Sequence, residues 1–599
     1  MAHLPIGIDL GTSTSEIAVF QHEVPAAIED PLSKSPIMPS QISVNHAGRV
    51  LVGEEARDFV NLPGHGVREV KRKMGTGETI TLAGKAYRPE ELSALILRKL
   101  AQNAGVFLGE PVTDIVLSVP ANFPDAARQA TLHAAELAGL HVVRLINEPT
   151  AAALAFGVHH IEVNEQLVVF DFGGGTLDVS VLEMLEGVLD VRSSFGDPQL
   201  GGKDFDEALI NLLLQRFTKQ HGKLPITDFA RNALKTAAER AKITLSETDN
   251  VEVFLPGFAL RDETPVDLSI TVTREEFEKA TAPLLERARE VLTRALAAGN
   301  IRPDAVDRVL LVGGTTYLPA VRRLVAEFFG QEPAAAVDPD LAVVLGAATL
   351  AAMEAGVISP EEGLILTDIS PFGIGFETMH SETFELYYSP LIAPNTPIPF
   401  TREYAFSLIH TDQQRVIFHL YQSYLSEPTP MRVATARKML TDTGIEAEIT
   451  DIPPSTTGVP HPVRVDFSYD ENGVVLVKGS IPGLKHEVDI TYQQTVTRMT
   501  REELDAAQQQ MATLYAAMEE DLLPEELPAG DQESNLRYWL PIIARAERLT
   551  DAHPEAKPAL TDGITALRAA LETGDDDEIE ETGNALIDMI DELEEEAEE

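Results

Sequence analysis

The sequence contains no cysteine and only one tryptophan, and aromatic residues make up 6% of its 599 residues. The absence of cysteine excludes disulfides, thiolate metal sites and cysteine nucleophiles, so a bound metal is expected to have oxygen ligands. The sequence also lacks an apolar run of roughly 18 residues and the charged, apolar and small-residue regions of a signal peptide. Neither a membrane span nor export is indicated, and we expect a cytoplasmic protein.

Basic residues are scarce as well. Lysine and arginine number 47 against 95 aspartate and glutamate residues, which gives a formal net charge of −48. This balance excludes a general nucleic-acid binder, because the neutralisation of phosphates requires clustered basic side chains. Residues 575–599 contain no basic residue at all. We interpret them as a solvated acidic helix face with a frayed tail and assign them no specific role.

What the sequence does contain is one short template that occurs twice, 162 residues apart. An apolar run ends in Asp9 or Asp171, glycine follows two residues later, threonine follows five residues later, and β-branched residues then resume. The pattern predicts a strand–turn–strand hairpin in each place. Glycine in such a turn removes the Cβ atom that would keep a ligand at a distance, so a phosphate group is the natural ligand. A single glycine-rich hairpin would be weak support, and the duplication strengthens it.

The two hairpins are expected to face each other, with their N–H groups around the phosphates of a nucleotide. Asp9 and Asp171 would then converge on the same point. Two carboxylates repel a polyphosphate unless a divalent cation lies between them, and Mg²⁺ held through carboxylates, waters and phosphate oxygens meets that requirement. The duplicated template therefore predicts a Mg-nucleotide site.

The rest of the composition is typical of a large globular protein. A hydrophobic share of 44% can form sizeable cores, and the length corresponds to roughly four units of about 150 residues. Between the hairpins, residues 114–120 are predicted to form a buried strand and 125–139 an alanine-rich helix, followed by another strand and a second helix entry over 140–156. This alternation predicts an α/β layered domain, in which Glu148 lies at a strand end.

Several ordered motifs resemble those of a known family. They are Ile-Asp-Leu-Gly-Thr at 8–12, Val-Lys-Arg-Lys-Met-Gly at 70–75, Val-Pro-Ala-Asn-Phe-Pro at 119–124, Ile-Asn-Glu-Pro-Thr-Ala at 146–151, Asp-Phe-Gly-Gly-Gly-Thr at 171–176, Leu-Gly-Gly-Lys-Asp-Phe-Asp at 200–206, Ala-Glu-Arg-Ala-Lys-Ile-Thr-Leu-Ser at 238–246 and Leu-Val-Gly-Gly-Thr-Thr at 311–316. Through them the chain resembles the seventy-kilodalton heat-shock chaperones of the DnaK type. The resemblance is specific for the ATPase domain of that family and weaker beyond it.

The resemblance implies an actin-like α/β ATPase of two lobes, each with one phosphate hairpin, with ATP or ADP and Mg²⁺ as cofactors and K⁺ as a further candidate. Lys71 would be the catalytic lysine, because an ammonium beside the γ-phosphate can orient water and stabilise developing charge. Without the resemblance, the basic run 71–73 would be interpreted as a solvated surface patch. The other implied roles are catalysis for Glu148, Asp171, Thr176 and Asp178, Mg²⁺ positioning through waters for Asp9 and Asp171, and phosphate contacts for Gly11, Thr12, Ser13, Gly173, Gly174 and Thr176.

The adenosine side of the implied site departs from the family at one position. Tyr317 stands where the family has arginine, so adenine would lie against a neutral aromatic ring and the apolar part of Ile243. The segment 74–87 is also shorter than in the family, which trims a subdomain edge and leaves the site intact. The other implied nucleotide contacts are Gly201, Gly202, Glu239, Lys242, Ser246, Gly313, Gly314 and Asp340.

The resemblance further implies an allosteric relay and an interdomain linker, residues 363–368, that docks onto the ATPase domain in the ATP state. Thr367 replaces a residue that the family keeps apolar, which predicts weaker docking and looser coupling. The relay residues are Pro120, Arg128, Arg144, Asn147, Leu364, Ile365, Leu366 and Asp368, of which Arg144 and Asn147 match positions that receive a J-domain partner.

Beyond the linker the pattern changes from α/β to β. Residues 369–498 alternate strands with proline and glycine turns, which predicts a small β-sandwich. It resembles the peptide-binding module of the family, which would hold an extended peptide by main-chain hydrogen bonds and an apolar pocket. Tyr388, Val416 and Phe418 are the candidate peptide contacts.

The last part of the chain, residues 499–599, is predicted to form an α-helical lid. Amphipathic helices begin at a capping-box start at Thr500 and recur over 536–549 and 560–571. The ATPase domain would then comprise residues 1–362, ahead of the linker.

Three functions are compatible with these patterns. The first is an ATP-driven chaperone for unfolded or extended polypeptides, monomeric, served by a J-domain co-chaperone and a nucleotide-exchange factor, with no nucleic-acid or membrane partner. The second is a metabolite kinase, since that class shares the duplicated hairpins, but it leaves the β-sandwich and the lid unexplained. The third is a nucleotide-gated regulatory or scaffolding protein with one dedicated client. Lys71 and the C-terminal residues favour the first over the second.

Overall fold

The computed structural model describes residues 4–489, 501–519 and 556–573 together with positions 579, 582, 585, 586 and 589, and leaves out 46–47, 58, 158–163, 262–263, 335–337, 360–364, 381–382, 437–439, 471, 473 and 485 within the first range. Contacts divide the chain into two compact units, residues 1–518 and 519–599. None of the helices in these described ranges is both long enough and apolar enough to cross a membrane.

The first sheet of unit 1–518 contains the first hairpin. The elements of this region are β1 (Ile6–Leu10), β2 (Thr14–Gln21), β3 (Val24–Ala27), β4 (Met38–Pro39), β5 (Gln41–Val44), β6 (Val50–Val52), β7 (Gly66–Arg68), β8 (Ile80–Leu82), β9 (Lys85–Tyr87), α1 (Pro89–Leu108), β10 (Asp114–Val119), α2 (Asp125–Leu137), β11 (His141–Asn147) and α3 (Glu148–Gly157). The strand order is β11–β10–β1–β2–β3, with β4 against β2, and β1, β10 and β11 are mutually parallel. Apolar residues of α1 and α2 pack with Ile8 and Leu117 against one face of this sheet. The predicted strand–helix–strand–helix order between the hairpins is confirmed.

The second sheet contains the second hairpin. Its region comprises β12 (Glu165–Phe172), β13 (Leu177–Leu185), β14 (Val188–Asp197), α4 (Gly202–His221), α5 (Asp228–Glu247), β15 (Asn250–Arg261), β16 (Thr264–Thr273), α6 (Arg274–Ala298), β17 (Arg308–Val312), α7 (Pro319–Phe329), α8 (Ala342–Glu354) and β18 (Ile365–Ser370). Helix α8 packs on the face of the first sheet opposite α1, where Val344 and Ala348 contact Ala18. Gly7 permits this contact, because a Cβ atom there would lie 2.2 Å from the backbone nitrogen of Ala348.

The residues after β18 form two stacked antiparallel sheets, as predicted. Their elements are β19 (Gly373–Met379), β20 (Leu386–Ile392), β21 (Thr396–Ile398), β22 (Phe400–Ser407), β23 (Val416–Ser423), β24 (Thr429–Pro430), α9 (Met431–Ala436), β25 (Leu440–Ile449), β26 (Pro462–Tyr469), β27 (Val475–Ile481) and β28 (His486–Asp489). One of the two stacked sheets has the strand order β24–β20–β19–β23–β25, and the other has the order β22–β26–β27–β28. Strand β21 instead pairs at the edge of the sheet that contains the second hairpin, whose order is β17–β12–β13–β14–β18–β21. Phe376, Phe418, Val465 and Phe467 lie in the core between the stacked sheets.

Two described helices follow, α10 (Arg501–Glu519) and α11 (Lys557–Thr573). In α10, Leu504, Ala507 and Met511 are buried in the same cluster as α1 and α2, so the division by contacts at residue 518 falls inside the predicted lid. In the second unit, Leu560 and Leu567 of α11 are fully buried. The predicted helix at 560–571 is confirmed, whereas Thr500, the helix predicted at 536–549, Leu364 and most of the acidic end lie outside the described residues.

Candidate active site

The duplicated template forms two β-hairpins, as predicted. In the first, β1 pairs with β2 so that Asp9 lies opposite Glu16. In the second, β12 pairs with β13 so that Asp171 lies opposite Asp178. Each aspartate therefore occupies the same place, two residues before the first glycine of its turn.

The two turns touch each other. A Cβ atom on Gly174 would lie 2.1 Å from Ser13 Oγ, and one on Gly175 would lie 2.5 Å from Thr12 Oγ1. Glycine allows this approach without displacing the side chains of the opposite turn, since any Cβ atom at these positions would collide with them. The two hairpins thus meet at one place, which we call the double-turn site and define by residues 9–14 and 171–176.

Lys71 points into the double-turn site. The 3₁₀ turn Val70–Lys73 follows Glu69, whose backbone is left-handed with φ of 60°, and the Lys71 side chain is 7% exposed. Its Nζ atom lies 2.5 Å from Oε1 of Glu148, the first residue of α3. The side chain of Lys73, two residues further on, is 47% exposed. The interpretation of this run as a surface patch is therefore wrong for Lys71.

Three aspartates interact with this ion pair. Asp9 Oδ1 accepts a hydrogen bond from Ser118 Oγ at 2.5 Å, and Asp178 Oδ1 accepts one from Asn122 Nδ2 at 2.6 Å. Asp171 Oδ2 is buried and has no hydrogen-bond partner among the described residues. This oxygen of Asp171 is available to a ligand.

Burial and charge shift the pKa values of these groups. Burial opposes the charge on Lys71, but Glu148 and then Asp9 raise its pKa above the ordinary value, so the ammonium form is kept. Burial raises the pKa of Glu148 to about 7. Burial also raises the pKa values of Asp171 and Asp178, and Glu148 adds to the rise at Asp171. The carboxyl groups named here outnumber the one cationic side chain, Lys71.

These residues fit a Mg-nucleotide. Asp171 provides an unpartnered carboxylate oxygen, and a Cβ atom on Gly173 would meet no atom nearer than 3.9 Å, so there is room beside this glycine for a phosphate oxygen. The described residues contain no group of three or more His, Asp or Glu side chains arranged to hold a metal ion by themselves. Magnesium is ordinarily held by one or two carboxylates together with waters and phosphate oxygens, and Asp9 and Asp171 can supply those carboxylates.

The model of one protein family, described as Hsp70 protein, matches residues 5–599. The chain belongs to the Hsp70 family. This match confirms the resemblance drawn from the motifs and extends it over essentially the whole chain. Hsp70 proteins are chaperones that bind ATP, with an actin-like ATPase domain and a substrate-binding domain, so a chaperone function in general is established for this chain.

Glycines also pack against the second turn at positions for which the resemblance implies adenosine contacts. A Cβ atom on Gly201 would lie 2.5 Å from Gly174 O, and one on Gly313 would lie 2.7 Å from Phe172 O. Gly313 also has a φ of 81°, which other residues rarely adopt. The starts of α4 and of the segment after β17 are therefore packed directly against the second turn, and their contact with a nucleotide stays a prediction.

The polar residues expected near adenosine are held by protein partners. Lys203 Nζ lies 2.9 Å from Glu239 Oε1, and Lys242 Nζ lies 2.9 Å from Asp206 Oδ1. Ser246 Oγ donates to the Lys242 carbonyl at 3.3 Å. These contacts fix the side chains beside the glycines.

Tyr317 and Ile243 remain accessible, with exposures of 40% and 59%. The Tyr317 hydroxyl donates to Asp338 Oδ1 at 3.1 Å, and the guanidinium of Arg322 lies over its ring, 5.6 Å from the centroid. Asp340 lies beside Gly314, where a Cβ atom would be 3.3 Å from Asp340 Oδ1. Arg322 therefore supplies an arginine close to position 317, where the family has one, but its guanidinium lies over the Tyr317 ring.

Three of the predicted relay residues form a hydrogen-bonded chain. Arg128, which is 4% exposed, donates to Asn147 Oδ1 at 2.5 Å, and Asn147 Nδ2 donates to Asp368 Oδ2 at 2.8 Å. Pro120 lies in the bend after β10, where its carbonyl accepts from the Phe123 nitrogen at 3.1 Å. Arg144 is paired with Glu354 at 2.5 Å. The sequence-based grouping of Arg128, Asn147 and Asp368 is thus matched by direct contacts.

The linker is docked as a strand. Residues Ile365, Leu366 and Thr367 pair in parallel with residues 188–190 of β14. Thr367 Oγ1 donates to the Asp190 carboxylate. The polar residue that departs from the family therefore has a polar partner, and the predicted weakness of the docking stays a prediction. Leu364 lies outside the described residues.

The candidate peptide contacts are largely buried. Tyr388 is fully buried with its hydroxyl unpartnered within the described part of the chain, Phe418 is 5% exposed, and Val416 is partly buried. Gly375 makes room for the Tyr388 ring, since a Cβ atom there would lie 2.7 Å from it. Tyr388 offers no exposed surface in this arrangement, so its contact with a peptide stays a prediction.

Several residues of the site were missed by the sequence reasoning. Ser118 and Asn122 flank Pro120 and hold Asp9 and Asp178. Arg72 donates to the Gly175 carbonyl and to Asp204, both at 2.8 Å. Glu16 is buried opposite Asp9. Ser118 could have been found because it lies on β10, the parallel neighbour of β1. Glu16 could have been found because side chains alternate between the two faces of β2.

Proposed function

We propose that this Hsp70 chain is an ATP-dependent chaperone that binds and releases unfolded or extended polypeptide segments. Hydrolysis of Mg-ATP to ADP and phosphate switches its β-sandwich between low and high affinity for the segment. The two sheets that carry the hairpins act as the two lobes of an actin-like ATPase. The observation that carries this proposal is the buried ion pair of Lys71 and Glu148 at the point where the two glycine turns meet.

The chemistry follows from the charges at the double-turn site. Mg²⁺, when held by Asp9 and Asp171 through waters, supplies positive charge to the phosphates. Lys71 is the ammonium that stabilises negative charge on the γ-phosphate and orients the attacking water. Glu148, with a pKa of about 7, and Asp178, held by Asn122, accept hydrogen bonds from that water. Thr176 and the turn amides position the phosphates.

Two routes support coupling between ATP and the β-sandwich. Arg128, Asn147 and Asp368 join the end of β11 to the linker. In the second sheet, the Ser194 nitrogen donates to Asn395 Oδ1 at 3.3 Å, and Asn122, which binds Asp178, lies 3.5 Å from Ser194 Oγ. The catalytic carboxylate of Asp178 and the β-sandwich loop at Asn395 are therefore connected through Asn122 and Ser194. A movement of one is expected to change the preferred position of the other.

Partners and further ligands follow from the family and are part of the proposal. A J-domain co-chaperone acts near Arg144 and Asn147, a nucleotide-exchange factor releases ADP, and K⁺ accompanies Mg-nucleotide. The chain acts as a cytoplasmic monomer. Binding of the purified chain to each partner, measured by calorimetry with and without nucleotide, tests these assignments one by one.

The test of the function is the rate of ATP hydrolysis by the full-length protein, with and without an extended peptide that has an aliphatic core and basic flanks. Slow turnover that rises with peptide is expected. A turnover rate that does not change with peptide would support the ATPase assignment and contradict the coupling between hydrolysis and peptide binding. No turnover with intact ATP binding would contradict the chaperone cycle as a whole.

One observation favours a second candidate, a nucleotide-gated scaffold with a single dedicated client. Tyr388 and Phe418 are buried in the β-sandwich rather than exposed at its surface, which is less suited to general peptide capture. A panel of unrelated extended peptides separates the two functions. Similar micromolar binding of many peptides supports the chaperone, and binding of none supports the dedicated client.

A further inference from the structure

Tyr317 holds an exposed aromatic ring in a fixed position. It ends the 3₁₀ turn Gly314–Tyr317 and is 40% exposed. The guanidinium of Arg322 lies over the ring, 5.6 Å from the centroid, and Arg322 Nε donates to the Thr316 carbonyl at 3.1 Å. Because the guanidinium covers one face of the ring, the opposite face is the one that can accept a planar ligand.

The neighbours of Gly202 relate Tyr317 to a second exposed apolar side chain, Ile243. Gly202 follows the glycine that packs against the second turn. A Cβ atom on Gly202 would lie 2.7 Å from Thr315 Oγ1 and 3.1 Å from Lys242 Nζ. Thr315 is two residues before Tyr317, and Lys242 directly precedes Ile243, which is 59% exposed. The segments that carry the two exposed side chains therefore meet beside the second turn.

These two apolar surfaces suit the base of a nucleotide whose phosphates lie at the double-turn site. The resemblance to the Hsp70 family implies that adenine lies against Tyr317 and Ile243. A base that stacks on an aromatic ring is stabilised by contact with its flat face, which every base has. Stacking on Tyr317 therefore favours binding of a base without selecting which purine it is.

Selection of one purine requires a hydrogen-bond donor at the edge of the base. The side-chain donors beside these residues have acceptors within the protein. The Tyr317 hydroxyl donates to Asp338 Oδ1 at 3.1 Å, and Ser246 Oγ donates to the Lys242 carbonyl at 3.3 Å. Lys242 Nζ lies 2.9 Å from Asp206 Oδ1. None of these three donors is left to bind adenine N1, which guanine lacks as an acceptor, or guanine O6, which adenine lacks.

The other polar groups at the ring are carboxylates. Asp338 Oδ1 accepts from the Asp340 backbone nitrogen at 3.0 Å as well as from Tyr317, and Asp340 lies beside Gly314. An ionised carboxylate only accepts hydrogen bonds. Adenine and guanine both carry an amino group that donates, so these carboxylates do not exclude either base.

We propose that Tyr317 makes this chain tolerant of the purine base, so that it binds guanine nucleotides as well as adenine nucleotides. The substrate class is then purine nucleoside triphosphates. This inference deepens the proposed function and rests on it, since the phosphates must bind at the double-turn site. With GTP, water adds to the γ-phosphorus as the bond to the β–γ bridging oxygen breaks, which gives GDP and phosphate. Pyrimidine nucleotides are expected to bind more weakly, because their single ring offers less area for stacking.

The affinities of the full-length, nucleotide-free protein for Mg-ADP, Mg-GDP and Mg-CDP, measured by calorimetry, test the proposal. The dissociation constants of ADP and GDP are expected to agree within about fivefold, and that of CDP is expected to be at least about tenfold higher. Tyr317→Ala is expected to weaken ADP and GDP by the same factor, about tenfold, because it removes the stacking surface. Tyr317→Phe keeps the ring and is expected to remain within about threefold of the wild type for both. The matched control is Phe254→Ala, which removes an aromatic side chain that is 56% exposed on β15, and it is expected to change neither affinity.

The remaining outcomes are decisive as well. A GDP affinity at least 100-fold below that of ADP in the wild type overturns the tolerance but leaves the proposed function, whereas no binding of any of the three nucleotides at millimolar concentration contradicts the proposed function. CDP that binds as tightly as ADP, or wild-type affinities in Tyr317→Ala, overturns the stacking on Tyr317. If thermal unfolding shows that Tyr317→Ala does not fold, Tyr317→Leu replaces it and is expected to weaken ADP and GDP alike. A loss confined to one of the two purines overturns the proposal in either variant.

Discussion

The Lys71 ammonium and the Glu148 carboxylate lie 2.5 Å apart, although 77 residues separate them in the chain. Lys71 comes from a short 3₁₀ turn and Glu148 from the first position of α3, so two distant segments are required to assemble the pair. Breaking a buried ion pair leaves the surviving charge unpartnered, which is costly. Substitutions at either residue therefore need a readout for folding beside the readout for activity.

Lys71→Ala is expected to lower the rate of ATP hydrolysis at least 100-fold while leaving Mg-ATP binding within about threefold, because electrostatic stabilisation of the transferred phosphate is the largest single contribution to this kind of catalysis. Single-turnover hydrolysis and calorimetric nucleotide binding measure the two effects. Lys73→Ala removes an exposed lysine of the same run and is the control, expected to be unchanged. Unchanged hydrolysis in Lys71→Ala would contradict the catalytic role, and lost binding would reassign the lysine to holding phosphate.

Hydrolysis is expected to depend on pH through Glu148. Burial raises its pKa to about 7, so the fraction that is ionised, and able to accept a hydrogen bond from water, is about half at pH 7 and falls as the pH falls. The single-turnover rate should therefore rise from pH 6 towards a plateau above pH 7. Glu148→Gln should have a rate at least tenfold lower and lack this limb. A limb of the same shape in Glu148→Gln would assign the titration to another group.

The local pattern of the sequence was sufficient for the hairpins. Asp9 and Asp171 each lie where an apolar run meets a glycine turn, and both runs pair with the strand that follows them, as predicted. The helix after Pro124 follows from its start signal and its glycine end, and the helix predicted at 560–571 is observed at Lys557–Thr573. Hairpins and helices such as these depend mainly on residues that are close together in the sequence, so the sequence alone is enough to predict them.

The contacts across the chain were not predictable in the same way. Nothing near Lys71 indicates that it is buried while Lys73 is exposed, because the pattern of a basic run is the same in both environments. The Thr367 hydroxyl was expected to weaken docking. Its acceptor, Asp190, lies 177 residues away in the sequence, so the hydrogen bond between them could not be predicted. Tyr388 is inside the β-sandwich because Gly375 makes room for its ring. Each of these outcomes depends on which segments become neighbours in three dimensions.

Gly201→Ala is expected to weaken nucleotide binding at least tenfold, because the added Cβ atom would lie 2.5 Å from Gly174 O and would displace the second turn. The control is Gly105→Ala in α1, where the nearest atom would be 3.4 Å away. Alanine in a helix interior is expected to add about 0.5 to 1 kcal/mol to the free energy of unfolding there. Titration with a fluorescent ADP analogue and thermal unfolding measure the two changes. Wild-type affinity in Gly201→Ala would mean that the turn can move without cost.

Thr367→Val is expected to weaken the docking of the linker, because it removes the hydroxyl that donates to Asp190. Asp190 keeps its ion pair with Arg192 at 3.1 Å, so the loss is that of one hydrogen bond, about 1 kcal/mol, or about fivefold in the docked population. Asp190→Ala in the Thr367→Val background should add little to this loss, because the contact is already broken. Hydrogen exchange of residues 365–367 with ATP measures docking, and Thr401→Val, which removes an exposed hydroxyl contact with Ser468, is the control. Stronger protection in Thr367→Val would contradict this role of the hydroxyl and would mean that an apolar residue docks better at this position.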